Sequence, residues 1–192
     1  MKRLLLILIL ASVLLPLSAQ GKFRDRRDGH VYTTVTIQGV IWLAENLKFK
    51  APQGSSYFER DSVNSGKYGM LYDWKTAMKA CPEGWHLPSG EDYQLLISYN
   101  DQKDSYADSK AKSDSFGIQL GGMQDFEGTF TEMDEGAYFW TSTEYDKDNA
   151  QYASYVIISD NPVADVSRKE DISDMHGTEK SNKYSVRCIK SR

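Results

Sequence analysis

A short segment in the second half of the chain combines flat rings with small polar groups. The run FWTSTE is followed by Tyr145, Asp146, Asp148, Asn149 and Tyr152. Aromatic rings can stack on a sugar or a peptide side chain, while carboxylate and amide groups bind hydroxyl and N–H groups. These five residues are therefore the predicted ligand-binding residues, and a glycan or a protein is the predicted partner. The alternative is an ordinary solvated acidic turn.

Residues that could indicate catalysis or a metal lack the required spacing. The three histidines, His30, His86 and His176, are far apart, and the chain has no His-x-x-x-His or Cys-x-x-Cys pattern. Ser142 has no Gly-x-Ser-x-Gly turn around it. Paired carboxylates for glycoside hydrolysis are identified by their separation in space, which 27 Asp and Glu residues in a sequence do not give. We therefore predict no catalytic residue, no metal site and no cofactor.

The first residues of the chain predict export. Lys2 and Arg3 precede an apolar run from Leu4 to Leu15, and Ala19 lies at the predicted cleavage point. This run is shorter than the ~20 residues that span a bilayer. Residues 1–19 are therefore predicted to be a signal peptide, with a retained anchor as the alternative. The protein is predicted to be secreted or on the cell surface, without a membrane span after cleavage.

The charge of the exported chain disfavours two classes of partner. The whole chain has a formal net charge of −4, and cleavage of the signal peptide removes the cations Lys2 and Arg3. Nucleic acids and anionic membrane surfaces bind clustered cations. Neither is therefore a predicted partner, and the sequence gives no indication of the oligomeric state.

The chain contains 2 cysteines, Cys81 and Cys188. An even number of cysteines in an exported protein favours a disulfide bond, because the compartment is oxidising. Two buried free thiols are the alternative.

The elements that would position these residues begin with a basic leader, residues 20–28, which we predict to be a tether. The run VYTTVTI, the pair Gln38-Gly39 and the run VIWLAENL predict a β-hairpin. Glycine and serine residues within 50–68 predict a long loop.

Two helices are predicted in the middle of the chain. The apolar residues Leu71, Trp74 and Ala77 recur at helical intervals from Tyr68 onwards, and Pro82 ends that pattern. Ser89 then precedes the helical run GEDYQLLISY as a capping residue. Short β-like runs follow: FGIQLGG, GTFTEM, AYFWTSTEY, QYASYVII and YSVRCIK. Strands, two helices and further strands predict an α+β fold.

Several blocks of the chain resemble, in the same order, the Fibrobacter succinogenes major paralogous domain. The blocks are GHVYTTVTIQGVIWLAENL, YGMLYDWKTAMKACPEGWHLPSGEDYQLL, FGIQLGGMQDFEGTF, FWTSTEYD and YSVRCIK. The resemblance implies one domain over residues 29–192. It also implies an exported bacterial protein, and the family has no assigned activity.

A more distant resemblance is to the C-type lectin-like fold. It is carried by Trp74, Ala77, Cys81, Gly84, Leu87 and Cys188. This resemblance implies two helices packed on a twisted, mostly antiparallel sheet, with a Cys81–Cys188 disulfide as the main covalent link. It also implies that ligands bind in the loops between the middle and late strands. The Glu-Pro-Asn and Gln-Pro-Asp calcium loops of sugar-binding members are absent, so binding is predicted without calcium.

Together these features predict a non-enzymatic binding or adhesion domain, secreted or at the cell surface. One alternative is an extracellular enzyme that acts on glycans. A second alternative is a structural component of the envelope.

Overall fold

The computed structural model describes residues 21–101, 117–145, 150–159 and 176–190. The predicted signal peptide lies outside these residues, as do Asp146, Asp148 and Asn149 of the predicted binding segment. No helix within the described ranges is both long enough and apolar enough to cross a membrane.

The described residues form mostly β-structure. The strands are β1 (Gly21–Arg24), β2 (Val31–Ile37), β3 (Val40–Leu43), β4 (Ser55–Ser56), β5 (Leu71–Tyr72), β6 (Gly121–Gln124), β7 (Phe130–Met133), β8 (Gly136–Glu144), β9 (Tyr152–Ser159), β10 (His176–Glu179), β11 (Tyr184–Ser185) and β12 (Ile189–Lys190). The helices are α1 (Asn64–Tyr68), α2 (Trp74–Ala80) and α3 (Gly90–Asp101), with a 3₁₀ turn at Phe58–Arg60.

The strands form two sheets. The smaller sheet has four strands in the order β1-β2-β3-β12. The larger sheet has eight strands, with the order β10-β9-β8-β11-β5-β4 along its main path; β6 pairs with β8, and β7 pairs with β6. The chain therefore starts and finishes its described course in the same small sheet.

The predicted α+β class, with two helices packed on a sheet in a C-type lectin-like arrangement, is wrong. The helices α1 and α2 have only 5 and 7 residues, and α3 has 12. The helical spacing that starts at Leu71 is divided between two elements, because Leu71–Tyr72 pairs with β4 and β11 as a strand. Helix α2 begins only at Trp74, capped by the side chain of Asp73.

The basic leader was predicted to be a tether. In the structure it contains strand β1, which pairs antiparallel with β2. After β1 the carboxylate of Asp25 is fully buried. Arg27 donates to both carboxylate oxygens of Asp25, at 3.0 Å from Nε and 2.6 Å from Nη2. Its Nη1 donates to the carbonyl of Ala80 at 2.7 Å, and its guanidinium lies 3.8 Å from the centroid of the Phe49 ring. These contacts fix the leader on the domain.

Both faces of β8 are buried, and this explains the unbroken apolar run AYFW. Trp140 belongs to a core cluster that includes Tyr72 and Cys188. Phe139, on the opposite face, belongs to a second cluster that includes Trp42 and Tyr93. A strand covered on both faces has no polar alternation.

The predicted disulfide is confirmed. Cys81 and Cys188 are bonded, with their Cα atoms 5.8 Å apart. The bond joins the residue after α2 to the residue before β12, and so links the middle of the chain to the small sheet.

A buried arginine connects the same terminal stretch to the loop after β3. Arg187 is fully buried, and its Nη2 donates to Oδ1 of Asn46 at 2.7 Å and to the carbonyl of Gly117 at 3.1 Å. The amide of Asn46 donates in turn to the carbonyl of Tyr68 at 2.9 Å. Burial lowers the pKa of Arg187 to about 10, so the guanidinium stays charged at neutral pH. The segments AENL and VRC, which belong to the blocks that resemble the family, are therefore joined by buried hydrogen bonds.

Candidate functional site

The predicted binding segment starts at one end of the large sheet. At this end β8 finishes at Glu144, which pairs with Ala153 near the start of β9, and Ala153 pairs with Thr178 near the end of β10. The register of β8 on β9 shifts between Trp140 and Glu144. Irregular pairing of this kind re-aims side chains and is common next to binding sites.

Five side chains meet or neighbour one another at this end of the sheet. We call them the aromatic patch: Trp74, Glu144, Tyr145, Tyr152 and Lys180. Trp74 belongs to the patch because its backbone N–H donates to the carbonyl of Lys180 at 3.0 Å. Tyr152 belongs to it because it pairs with Glu179, the residue before Lys180.

Tyr145 is a large aromatic residue of the patch that is 55% exposed. Its ring lies against the backbone of β10 at Gly177. A Cβ atom added to Gly177 would lie between 2.2 and 2.5 Å from three carbons of that ring. Only glycine at position 177 therefore allows the ring to lie on the strand, and this contact holds the ring in place while leaving much of it open to a ligand.

Lys180 is held between an aromatic ring and a carboxylate. Its Nζ lies 4.2 Å from the centroid of the Trp74 ring and 2.6 Å from Oε1 of Glu144. The indole is fixed in turn, because its Nε1 donates to the carbonyl of Thr141 at 2.8 Å. An ammonium over an aromatic face gains a cation–π attraction. The charges of Lys180 and Glu144 compensate each other, so the patch has no strong net charge.

The structure brings together only part of the predicted site. Tyr145 and Tyr152 lie at the same end of the sheet, and Tyr152 is half-buried. The other three predicted residues lie outside the described part of the chain. Sequence reasoning missed Trp74, which it assigned to the face of a helix, and Lys180, which lies in a polar stretch. No local signal connects these two residues, because their contact is made between segments about a hundred residues apart.

The other aromatic residues of the middle strands are structural. Phe139 and Trp140 are fully buried, and Tyr138 is nearly so. The hydroxyl of Tyr138 donates to Oε2 of Glu132 at 2.5 Å, and its ring lies near that of Tyr155, with 6.0 Å between the centroids. These rings form core and cross-strand contacts.

The chemistry available at the aromatic patch is stacking and hydrogen bonding. The rings of Trp74, Tyr145 and Tyr152 offer stacking surfaces, and Lys180 and Glu144 offer a donor and an acceptor. No group of three or more His, Cys, Asp and Glu side chains is arranged to hold a metal ion within the ranges that the structure covers.

Comparison with known proteins gives one result. A family model described as Fibrobacter succinogenes major domain matches residues 35–190. No curated protein and no solved structure matches the chain. The matched range contains every residue of the aromatic patch.

Proposed function

Because the chain belongs to the Fibrobacter succinogenes major domain family, a family of unknown function, we propose from its own surface that it is an exported binding or adhesion module for glycan or peptide ligands. The recognition surface is the aromatic patch. Neither catalysis nor a cofactor is part of this proposal.

One observation carries the proposal: an exposed tyrosine ring is held in place before any ligand arrives. Tyr145 rests on Gly177 and is 55% exposed. A ring that is already ordered loses little conformational freedom on binding, so more of the contact energy appears as affinity. Lys180 and Glu144, at 2.6 Å from each other, lie at the same end of the sheet and supply a donor and an acceptor for hydroxyl or amide groups.

Export is supported by two features of the chain. Residues 1–19 have the charged start and apolar run of a signal peptide. The Cys81–Cys188 disulfide is typical of proteins that fold in an oxidising compartment. The intact mass of protein purified from the producing cells tests this point, and a product that retains Met1 would contradict cleavage.

The binding experiment starts from a combined glycan and peptide array, probed with the purified protein. The dissociation constant of each hit is then measured for Tyr145→Ala and for a control, Phe126→Ala. Phe126 is a suitable control because it is an aromatic residue of similar exposure, 60%, in the turn between β6 and β7.

Tyr145→Ala is expected to weaken binding by at least about tenfold, or about 1.4 kcal/mol, because it removes the stacking surface. Phe126→Ala is expected to bind like the wild type. Both changes are on the surface, so the melting temperature should move little. Unchanged affinity in a folded Tyr145→Ala variant would place the recognition surface elsewhere.

A further inference from the structure

A second surface, on the small sheet, is the outer edge of strand β1. In the strand order β1-β2-β3-β12, β1 pairs with β2 on one side and with no described strand on the other. The opposite edge of this sheet is closed, because Ile189 of β12 exchanges two backbone hydrogen bonds with His86, each of 2.9 Å. The small sheet is therefore open at β1. We call this open side, formed by Lys22 and Arg24, the basic edge.

The contacts of Thr33 fix which backbone groups of β1 point outward. Thr33 lies opposite Lys22 in the pairing of β1 with β2. Its carbonyl accepts from the N–H of Ala44 at 2.8 Å, so Thr33 bonds towards β3 and not towards Lys22. In an antiparallel pair, opposite residues that are not bonded to each other direct their N–H and C=O groups away from each other. The backbone groups of Lys22, and of Arg24 two residues later, therefore point outward, and no residue within the described ranges pairs with them.

Strand β1 is well anchored although its edge is open. The ring of Phe23 packs on that of Trp85, with 4.8 Å between the centroids. The hydrogen bonds of Arg27 to Asp25 and to the carbonyl of Ala80 fix the residues that follow β1. An edge of unpaired N–H and C=O groups is a template for one more strand, and many domains bind peptides in this way. An edge that is already ordered loses little conformational freedom when it does so.

The side chains of the basic edge set the charge of the strand that fits it. Lys22 and Arg24 are exposed, and neither forms an ion pair within the part of the chain that the structure describes. Opposite them on β2 lie Thr33 and Val31, which carry no charge. The guanidinium of Arg24 reaches the turn after β1, because a Cβ atom added to Gly29 would lie 3.7 Å from its Nη1. An added strand would therefore meet two cations that no carboxylate of β1 or β2 compensates.

The leader as a whole has the same local charge. Residues 20–28 contain four Lys and Arg residues against two Asp, although the whole chain has a formal net charge of −4. Opposite charges on neighbouring strands stabilise their pairing. An acidic strand beside β1 would therefore be attracted to the leader.

A second copy of this chain is a poor occupant of the basic edge. Pairing of β1 with another β1, centred on Phe23, would place Lys22 opposite Arg24, and like charges directly opposite each other are destabilising. Lysine on an edge strand is a common protection against such self-pairing. A glycan has no regular ladder of N–H and C=O groups to match the edge. We propose that the basic edge binds an acidic segment of another protein, which adds to β1 as a further strand.

This surface is separate from the aromatic patch and does not depend on the proposed function. Strand β1 precedes residues 35–190, which the family model matches. The basic edge therefore belongs to the leader of this chain, whereas the aromatic patch belongs to the family domain.

The experiment is a titration with the peptide Ser-Glu-Val-Glu-Val-Glu-Ser, blocked at both ends and followed by NMR. In an extended peptide the glutamates share one face and lie opposite Lys22 and Arg24, while the valines lie on the face of Phe23. We expect a dissociation constant of about 0.1 mM. Bound peptide should also slow hydrogen exchange at the amides of Lys22 and Arg24. The peptide Ser-Lys-Val-Lys-Val-Lys-Ser is expected to bind at least about tenfold more weakly.

Backbone methylation of the acidic peptide separates strand addition from simple charge attraction. Residues opposite Lys22 and Arg24 direct their own N–H groups to β1, and the residues between them direct theirs away. N-methylation of the three glutamates keeps the charge but removes those donors, and it should weaken binding at least about tenfold. N-methylation of the two valines is the matched control and should leave the affinity unchanged.

Two substitutions test the same edge on the protein. Lys22→Pro removes an N–H that faces outward, and proline is tolerated on an edge strand at such a position, so β1 should stay paired with β2. This variant, checked for folding by thermal melting, should bind the acidic peptide at least about tenfold more weakly. Lys22→Gln keeps the N–H and loses only the charge, so its affinity should fall about two- to fivefold. The control is Lys190→Gln, which removes an exposed cation at the closed edge of the same sheet and should bind like the wild type.

Three results would overturn the inference. The first is that the acidic peptide does not bind, or that the lysine peptide binds equally well. The second is that methylation of the glutamates has no more effect than methylation of the valines, which would show charge attraction without an added strand. The third is an affinity that Tyr145→Ala abolishes and both Lys22 variants leave unchanged, which would assign the peptide to the aromatic patch. The methylated peptides decide the question with the wild-type protein even if Lys22→Pro does not fold.

Discussion

Reduction of the Cys81–Cys188 disulfide should destabilise the domain by several kcal/mol. The bond closes a loop with a sequence separation of 107. In the chain-entropy model a loop of this length restricts the unfolded state by about 5 kcal/mol, while measured values are typically about 2–4 kcal/mol. We expect a loss of about 3–4 kcal/mol, because Cys188 is fully buried and its neighbours stay packed around the thiol. For a domain of this size that loss lowers the melting temperature by roughly 10 °C.

The assay is thermal unfolding by circular dichroism, with and without a thiol reductant. The chain has only 2 cysteines, so the reductant breaks this bond alone. Alkylation and mass measurement confirm that both thiols are free before the melt. A Cys81→Ala/Cys188→Ala variant is the control and should not respond to the reductant. If the fully reduced protein melts within about 2 °C of the oxidised protein, the loop-closure argument is refuted.

Three further predictions concern stability. Asp73→Ala should lower the free energy of unfolding by about 1 kcal/mol, because Oδ1 of Asp73 caps α2 by accepting from the N–H of Thr76 at 2.8 Å. Urea unfolding measures this loss, and Asp73→Asn should retain most of the cap. Gly122→Ala should lower the free energy of unfolding by about 3 kcal/mol or more in the same assay. The backbone φ of Gly122 is +59°, and the new Cβ would lie 2.3 Å from the carbonyl oxygen of Thr131. The control is Gly66→Ala, which should cost nothing because a Cβ there meets no atom within 4 Å. The free energy of unfolding should fall above pH 10. Burial is the main reason that the pKa of Tyr184 is raised to about 12, and the pKa values of other buried tyrosines are raised as well. The stabilisation from a raised pKa is complete below the unfolded value of about 10 and is lost as the pH rises towards 12, so unfolding curves that are identical at pH 9 and pH 11.5 would contradict this assignment.

Features set by neighbouring residues were predictable from the sequence. The hairpin formed by β2 and β3 was predicted from its β-branched run and its Gln38-Gly39 turn, and the strand starts and finishes where the run does. The disulfide followed from the cysteine count together with the family resemblance. The family itself was recognised from ordered blocks spread over the chain, and a family model matches residues 35–190.

Features set by distant pairing were not predictable. Leu71 fits a helix by spacing, but Leu71 and Tyr72 pair with Ser55–Ser56 and with Tyr184–Ser185, and neither partner is close in sequence. Short strands of two residues have no periodicity of their own, so the sheet was underestimated and the helices were overestimated. The same cause concealed Lys180 from the predicted site, since its contact with the Trp74 ring depends on how β10 joins the large sheet.

The position of the disulfide also decides how the domain would respond to a pulling force. The first and last described strands, β1 and β12, belong to the same small sheet, so tension applied at residues 21 and 190 loads that sheet first. Cys188 lies two residues before the pulled end, and its bond to Cys81 passes the tension directly to the middle of the chain. The residues between the two cysteines, including the aromatic patch apart from Trp74, then carry no load. With the bond intact, unravelling releases only about 60 residues, or roughly 200 Å of extended chain, against nearly 600 Å for the reduced protein. A ligand held at Tyr145 would therefore sit on a segment outside the load path, while the leader, β2 and β3 yield first.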